Sequence, residues 1–279
     1  MNESTAAGAM SAIARDVRGV QIAWREARPS KGASDVVLLL HGLGGSRVSW
    51  EPQLAGLGGR AVVAAWDLPG YGASPSLDGA MTFLSLADAV VRWADAMGAD
   101  RVHLVGISFG GMIAQYTAVA HAHRVASLTL LATRPKLGLD GTLPGEWRAA
   151  RLAPLDAGQE PIDFADRVLG ALAGPNIAAE ALAGQRAAMA RVTGEALRQS
   201  IDCLITHDSR ATLPRIAAPT AVLVGGCDDE TPVAYAQAIV DLVPRATLEV
   251  VPGAGHLLNV EAPEIVNDAI VRQIERSRR

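Results

Sequence analysis

The sequence predicts a doubly wound α/β fold: a mostly parallel sheet with helices on both faces and a helical cap inserted into it. Three observations predict it. Short continuous apolar runs recur, Val36–Leu40 and Val102–Ile107 among them, as in strands buried on both faces. Helix-like stretches separate these runs, in the βαβα order of a parallel sheet. Over 134–213 that order stops, and Ala- and Arg-rich helical stretches take its place with no strand-like run. The expected division is 1–133 and 214–279 for the core and 134–213 for the cap.

Taken in order, 13–27 alternates weakly around Gly19 and reads as an opening β-hairpin. Val36–Leu40 is the first buried strand, and His41-Gly42-Leu43-Gly44-Gly45 follows it directly. A short helix over 49–59 leads to a second buried strand, 61–66, and a turn-rich loop, 67–72. Residues 83–97 have helical periodicity that stops at Gly98. Val102–Ile107, a helix over 112–120 and Val125–Leu131 continue the alternation. In the cap, Pro144, Pro154, Gly158, Pro161, Gly174-Pro175 and Gly194 break the helical stretches. The sheet resumes at 220–224 and at Ala246–Val251, each followed by a helix.

Composition narrows the function classes. A chain of 279 residues, 49% hydrophobic, can bury a large core. A formal charge of −4, carried by scattered charges, gives no electrostatic reason to bind nucleic acid. Cys203 and Cys227 are too few for a disulfide framework and lack metal-ligand spacing, and Cys227 reads as a small buried thiol. Residues 1–12 are small and polar, the composition of a frayed tail rather than a signal peptide. No apolar stretch approaches the ~20 residues of a membrane span. A cytoplasmic protein that does not engage membranes is expected.

The candidate chemistry starts at Gly106-Ile107-Ser108-Phe109-Gly110, a G-x-S-x-G between a strand and a helix. Such a turn strains the backbone of Ser108, and its tightness calls for Gly106 and Gly110, which carry no Cβ. A serine hydroxyl needs a base, itself oriented by a third group. Of six histidines, His256 stands apart, because it follows the last strand across a Gly-rich loop, at the sheet end where sites form. His103 reads as a core residue, and His121 and His123 as cations at a helix end. In 225–232 Asp228 is the first acid after its strand and the candidate orienter. Asp229 and Glu230 read as helix-start charges, with Thr231 as N-cap and Pro232 at the first helical position. The Phe109 and Leu43 amides are the candidate oxyanion donors.

These pieces resemble the α/β-hydrolase fold family over nearly the whole chain. They are His41 to Gly45, Asp67-Leu68-Pro69-Gly70-Tyr71-Gly72-Ala73-Ser74, the Ser108 elbow, Gly225 to Pro232 and Gly255 to Glu264. The last piece, and Asp208-Ser209-Arg210 with Leu213, Ile216 and Pro219, are most similar to 3-oxoadipate enol-lactonases. The resemblance implies a serine triad, no cofactor or metal, a small ester or lactone as substrate and a helical cap over the site. General carboxylesterases and cofactor-free haloperoxidases resemble the chain as well, and a non-hydrolytic ligand receptor can keep the same fold. Epoxide hydrolases and haloalkane dehalogenases of this fold carry aspartate at the elbow, where Ser108 stands. Carbon–carbon bond hydrolases usually have asparagine where Ile107 stands. An enol-lactone of this class carries a carboxylate, whose burial calls for a cation. The cap offers Arg134, Lys136, Arg148 and Arg151. Arg134, and Arg148 beside Trp147, are the candidate substrate-binding residues.

Overall fold

The computed structural model describes residues 15–19, 21–30, 32 and 34–279. The expected tail, 1–12, and residues 13, 14 and 20 of the expected hairpin lie outside them. An antiparallel pair, β1 (Arg15–Arg18) and β2 (Ala23–Ala27), opens the fold. β3 (Val36–Leu40) follows, then a 3₁₀ turn, Arg47–Trp50, and α1 (Glu51–Leu57). Next come β4 (Val62–Trp66), α2 (Phe83–Ala96), β5 (Val102–Ile107), α3 (Phe109–Ala120) and β6 (Val125–Leu131). Four helices, α4 (Pro144–Asp156), α5 (Ala165–Leu172), α6 (Ala179–Met189) and α7 (Gly194–Leu204), intervene before the sheet resumes. The chain closes with β7 (Thr220–Gly225), α8 (Val233–Val240), β8 (Ala246–Val251), α9 (Leu258–Glu261) and α10 (Pro263–Ser277).

The eight strands run in the order β1-β2-β4-β3-β5-β6-β7-β8, and every pairing from β4 to β8 is parallel. The chain winds outward in both directions from the β3–β5 neighbours. The loops after β3 and β5 therefore diverge at the sheet's carboxyl edge and leave a crevice there. The two-residue period of the strands splits the apolar runs between two cores. Leu38, Leu40, Trp66 and Leu104 pack with α2 and α3 on one face, where Trp66 stacks on Trp93 at 5.7 Å. Val37, Leu39, Val105 and Leu223 pack with α1 and α10 on the other, against Val266 and Ile270. Burial on both faces is why these runs show no polar alternation.

Two expected breakers behave otherwise. Pro154 lies inside the last turn of α4, where few backbone bonds remain to be lost. Gly194 opens α7 instead of ending a helix, behind Thr193, whose Oγ1 accepts the Ala196 N–H at 3.2 Å. The stretch between β6 and β7 is tied where it leaves and rejoins the core. Lys136 and Asp208 form an isolated bridge, Ser209 N–H donates to Pro135 O at 2.8 Å, and Gln115 of α3 donates to Arg134 O at 3.1 Å. Among the described residues no helix is long and apolar enough to cross a membrane.

Candidate active site

Ser108 joins β5 to α3 with φ 54° and ψ −118°, a region L-residues rarely occupy. The surroundings hold it there. Its N–H donates to Leu131 O at 2.9 Å, and its carbonyl accepts from Thr133 Oγ1 at 2.8 Å and Met112 N at 3.0 Å. The flanking glycines are steric requirements. A Cβ on Gly106 would stand 2.3 Å from Gly110 O, and one on Gly110 would stand 2.1 Å from Leu40 O. Phe109 is the first residue of α3, so its N–H has no intrahelical acceptor.

The loop after β3 reaches the same place. A Cβ on Gly42 would lie 3.2 Å from Ser108 Cβ. Gly42 O accepts from His41 Nδ1 at 2.9 Å and from Gly45 N at 3.0 Å, while His41 Nε2 accepts the Leu68 N–H at 3.0 Å. These bonds fix the imidazole as neutral with its proton on Nδ1. Burial lowers its pKa as well, against opposing effects from the Gly42 carbonyl and Asp67. In a trans peptide C=O and N–H point opposite ways. Anchoring Gly42 O therefore turns the Leu43 N–H to the other side of the loop, and Leu43 lines the cavity that Ser108 faces.

His256 follows β8 and is 5% exposed. Its N–H donates to Leu172 O at 2.8 Å, and Glu261 cinches the preceding loop by accepting from Gly255 N at 2.8 Å and Gly174 N at 2.9 Å. Its Nδ1 lies 2.9 Å from Asp228 Oδ2, which leaves Nε2 as the other ring nitrogen. Asp228 also accepts Thr231 Oγ1 on Oδ2 at 2.6 Å, and Glu230 N and Thr231 N on Oδ1 at 2.9 and 2.8 Å. Burial alone would push this carboxyl up. The His256 charge, with hydrogen bonds from His256 and Thr231, outweighs burial and holds the carboxyl below the usual carboxylate range.

Ser108 and His256 line one cavity of about 100 Å³. A second chamber, of about 640 Å³, lies beneath α4, α5 and α7 and shares Leu43, Trp147, Arg151, Met189 and Glu230 with the first. Arg134 and Trp147 line the inner cavity. Arg148 does not. It follows Trp147 by one residue, about 100° around the helix, and pairs with Asp202 at 2.6 Å. Arg151, four residues on from Trp147, shares that tryptophan's face and reaches the cavity.

The acidic loop departs from expectation at three points. Glu230 is no helix-start charge. It stands in the cavity wall, paired with Arg134 at 3.0 Å and Arg151 at 2.5 Å. Pro232, not Thr231, is the N-cap of α8, because the Thr231 hydroxyl is committed to Asp228. Cys227 is exposed, and Cys203 is the buried thiol, whose pKa burial pushes up to about 12. Of the other histidines, His41 lines the same cavity, on the loop after β3. His103 bonds Ser127 at 2.8 Å inside the sheet, and His121 pairs with Asp88 at 2.8 Å at the surface.

Known proteins share this arrangement of strands and loops. The Variovorax paradoxus protein RutD, named as a carbamate hydrolase, is 33% identical over 248 residues, covering 85% of this chain and 90% of its own. The pimeloyl-[acyl-carrier protein] methyl ester esterase of Chromobacterium violaceum is 32% identical, over 81% of this chain and 88% of its own. The 3-oxoadipate enol-lactonase 2 of Acinetobacter baylyi is 26% identical, over 86% and 88%. A solved hydrolase from Pseudomonas aeruginosa PA01 superposes with a TM-score of 0.81 at 26% identity, covering 94% of this chain and 98% of that one. Residues 37–269 match the alpha/beta hydrolase family as a whole, and the chain belongs to that family.

Proposed function

We propose that this chain is a serine hydrolase that opens a small ester or lactone through an acyl-enzyme, with enol-lactones as the substrate class to test first. Ser108 Oγ attacks the carbonyl while His256 Nε2 takes its proton, and Asp228 holds the imidazole with Nδ1 protonated. The Phe109 and Leu43 amides receive the oxyanion. The imidazolium returns its proton to the leaving oxygen, and water activated by the same histidine releases the acid. No metal or cofactor enters these steps. Residues 134–213 act as the cap, and residues 1–133 and 214–279 as the core that carries the machinery.

One observation carries the reading. A histidine already hydrogen-bonded at Nδ1 to a buried carboxylate shares its cavity with a serine held in a strained elbow. The enol-lactone preference draws on the sequence of 255–264 and on the Acinetobacter baylyi relative. The test is a hydrolysis panel of enol-lactones, saturated lactones and simple acyl esters, run with the wild type and Ser108→Ala. Turnover should fall by at least about 10³-fold in the variant, with its unfolding transition retained. Turnover retained in Ser108→Ala would overturn the mechanism. A wild type that favours acyl esters over every lactone would overturn the substrate class.

A further inference from the structure

Pro232 takes the N-cap position of α8 with no side-chain cap bond, and the hydroxyl of Thr231 turns inward instead. Its Oγ1 lies 2.6 Å from Asp228 Oδ2 and 3.2 Å from His256 Nδ1. With the 2.9 Å contact between Oδ2 and Nδ1, the three atoms close a triangle. Its corners are buried: Thr231 is 0% exposed, Asp228 4% and His256 5%. The hydrolytic steps use only one of its three sides.

The chain dictates this placement locally. Asp228 Oδ1 accepts the N–H groups of Glu230 and Thr231, which wraps the loop around the carboxylate and brings residue 231 beside Oδ2. Pro232 confines the residue before it to extended backbone, and the branched Cβ of threonine leaves few side-chain rotamers. The hydroxyl therefore arrives already oriented.

Counting protons assigns each role. An ionised carboxylate only accepts, so the 2.6 Å contact carries the threonine proton to Oδ2. The hydroxyl then has only lone pairs to offer Nδ1. All three sides are hydrogen bonds when the ring proton sits on Nδ1, its N–H shared between Oδ2 and Oγ1. A ring proton on Nε2 would set the Nδ1 lone pair against lone pairs on both neighbours.

We propose that Thr231 is a positioning residue: its hydroxyl, donating to Asp228 and accepting from His256, locks the imidazole in the Nδ1–H tautomer and gives the imidazolium a second acceptor. The proposal rests on the serine-hydrolase reading. Thr231 lines neither chamber, so it acts through the other two residues. When the Ser108 proton passes to Nε2, positive charge spreads to Nδ1–H, and both acceptors hold it more strongly. That gain arises in the transition state, so its loss falls on kcat rather than KM.

Thr231→Ala and Thr231→Ser separate the hydroxyl from packing, since serine loses only the methyl. On p-nitrophenyl acetate, Thr231→Ala should lower kcat at least tenfold with KM within about twofold of wild type. Thr231→Ser should stay within about threefold. The alanine change is then repeated in Asp228→Asn. There the amide NH₂ moves the ring proton to Nε2, the hydroxyl has no N–H to accept, and Thr231→Ala should cost less than about twofold more. A residue that only packs the loop would cost the same factor in both backgrounds. Histidine-ring 15N spectra give a readout free of turnover: the His256 Nδ1 proton should exchange with solvent at least tenfold faster in Thr231→Ala than in wild type or Thr231→Ser. Equal losses in the two backgrounds, serine as slow as alanine, or unchanged proton exchange would overturn the proposal. Thermal melts identify a variant that fails to fold, and Thr231→Cys, a weak donor of similar size, then replaces the alanine. Failure of the hydrolase reading looks different. The wild type would turn over no ester, and the exchange rates alone would decide the role of Thr231.

Discussion

Replacing Asp228 by asparagine removes one charge and keeps the shape, and the structure dictates how the amide must sit. Oδ1 accepts two backbone N–H groups, from Glu230 and Thr231, and neither can turn away. An amide NH₂ placed there would face two donors. The amide oxygen therefore takes the Oδ1 position, and the NH₂ takes the Oδ2 position facing Thr231 Oγ1 and His256 Nδ1. A donor opposite Nδ1 selects the imidazole tautomer with its proton on Nε2, and that nitrogen can no longer act as base. The expected loss in turnover is about 10³–10⁴-fold, or about 4–5.5 kcal/mol in the barrier. Asp229 is exposed and does not bond the imidazole, so Asp229→Asn should change the rate by less than about threefold. Initial rates on p-nitrophenyl acetate measure both, with thermal melts to confirm folding. Asp228→Asn retaining a tenth of wild-type turnover would refute the tautomer argument. The reverse ranking of the two variants would move the orienting role to Asp229.

Gly110→Ala forces a methyl against Leu40 O and His41 O, at 2.1 and 2.6 Å before relaxation, and should cost more than about 3 kcal/mol in urea unfolding; a cost below about 1 kcal/mol would mean that α3 can shift on β3. His207 is buried beside Arg134, with its pKa pushed down to about 4, first by burial. The unfolded chain binds this proton first, near pH 6.5, so stability should decline as pH falls from about 6.5 to 4 and be indifferent to His207 above that window. The loss should reach about 2 kcal/mol by pH 5, and His207→Gln should remove that part of the slope in urea unfolding at pH 7 and 5. An unchanged slope would assign the proton uptake to another buried histidine, such as His103.

What the sequence made legible follows how local each signal is. The strands β3, β5 and β6 end where their apolar runs end, because a strand buried on both faces advertises itself in consecutive residues. Ser108, Asp228 and His256 could be named because each follows a strand at the sheet edge, where chain order and Gly-rich loops are read directly. Thr231 and Glu261 gave no such signal. Their value lies in where their oxygens fall after the chain folds, one beside Asp228 and the other across the 174 and 255 amides. In the sequence, adjacency to Trp147 favours Arg148, but Arg148 pairs with Asp202 outside the cavity that Arg151 lines. Helical spacing was the better guide, since a tryptophan's neighbour on one face comes four residues later, not one. Glu230 was hidden because a carboxylate ahead of a helix has an ordinary electrostatic use, and only the fold brings two arginines to it.

The tie at Lys136 and Asp208 has a consequence for how such a protein can diversify. Everything between those residues leaves and re-enters at one point, so the rest of the chain experiences it as a single closed loop. Closure entropy grows only logarithmically, about 0.6 kcal/mol for each doubling in length. Segments of quite different size can therefore be exchanged there at little thermodynamic cost, provided the bridge and the Pro135–Ser209 bond are kept. A lineage can hold its bond-breaking apparatus constant and vary its appetite, trading one cassette for another as the available compounds change.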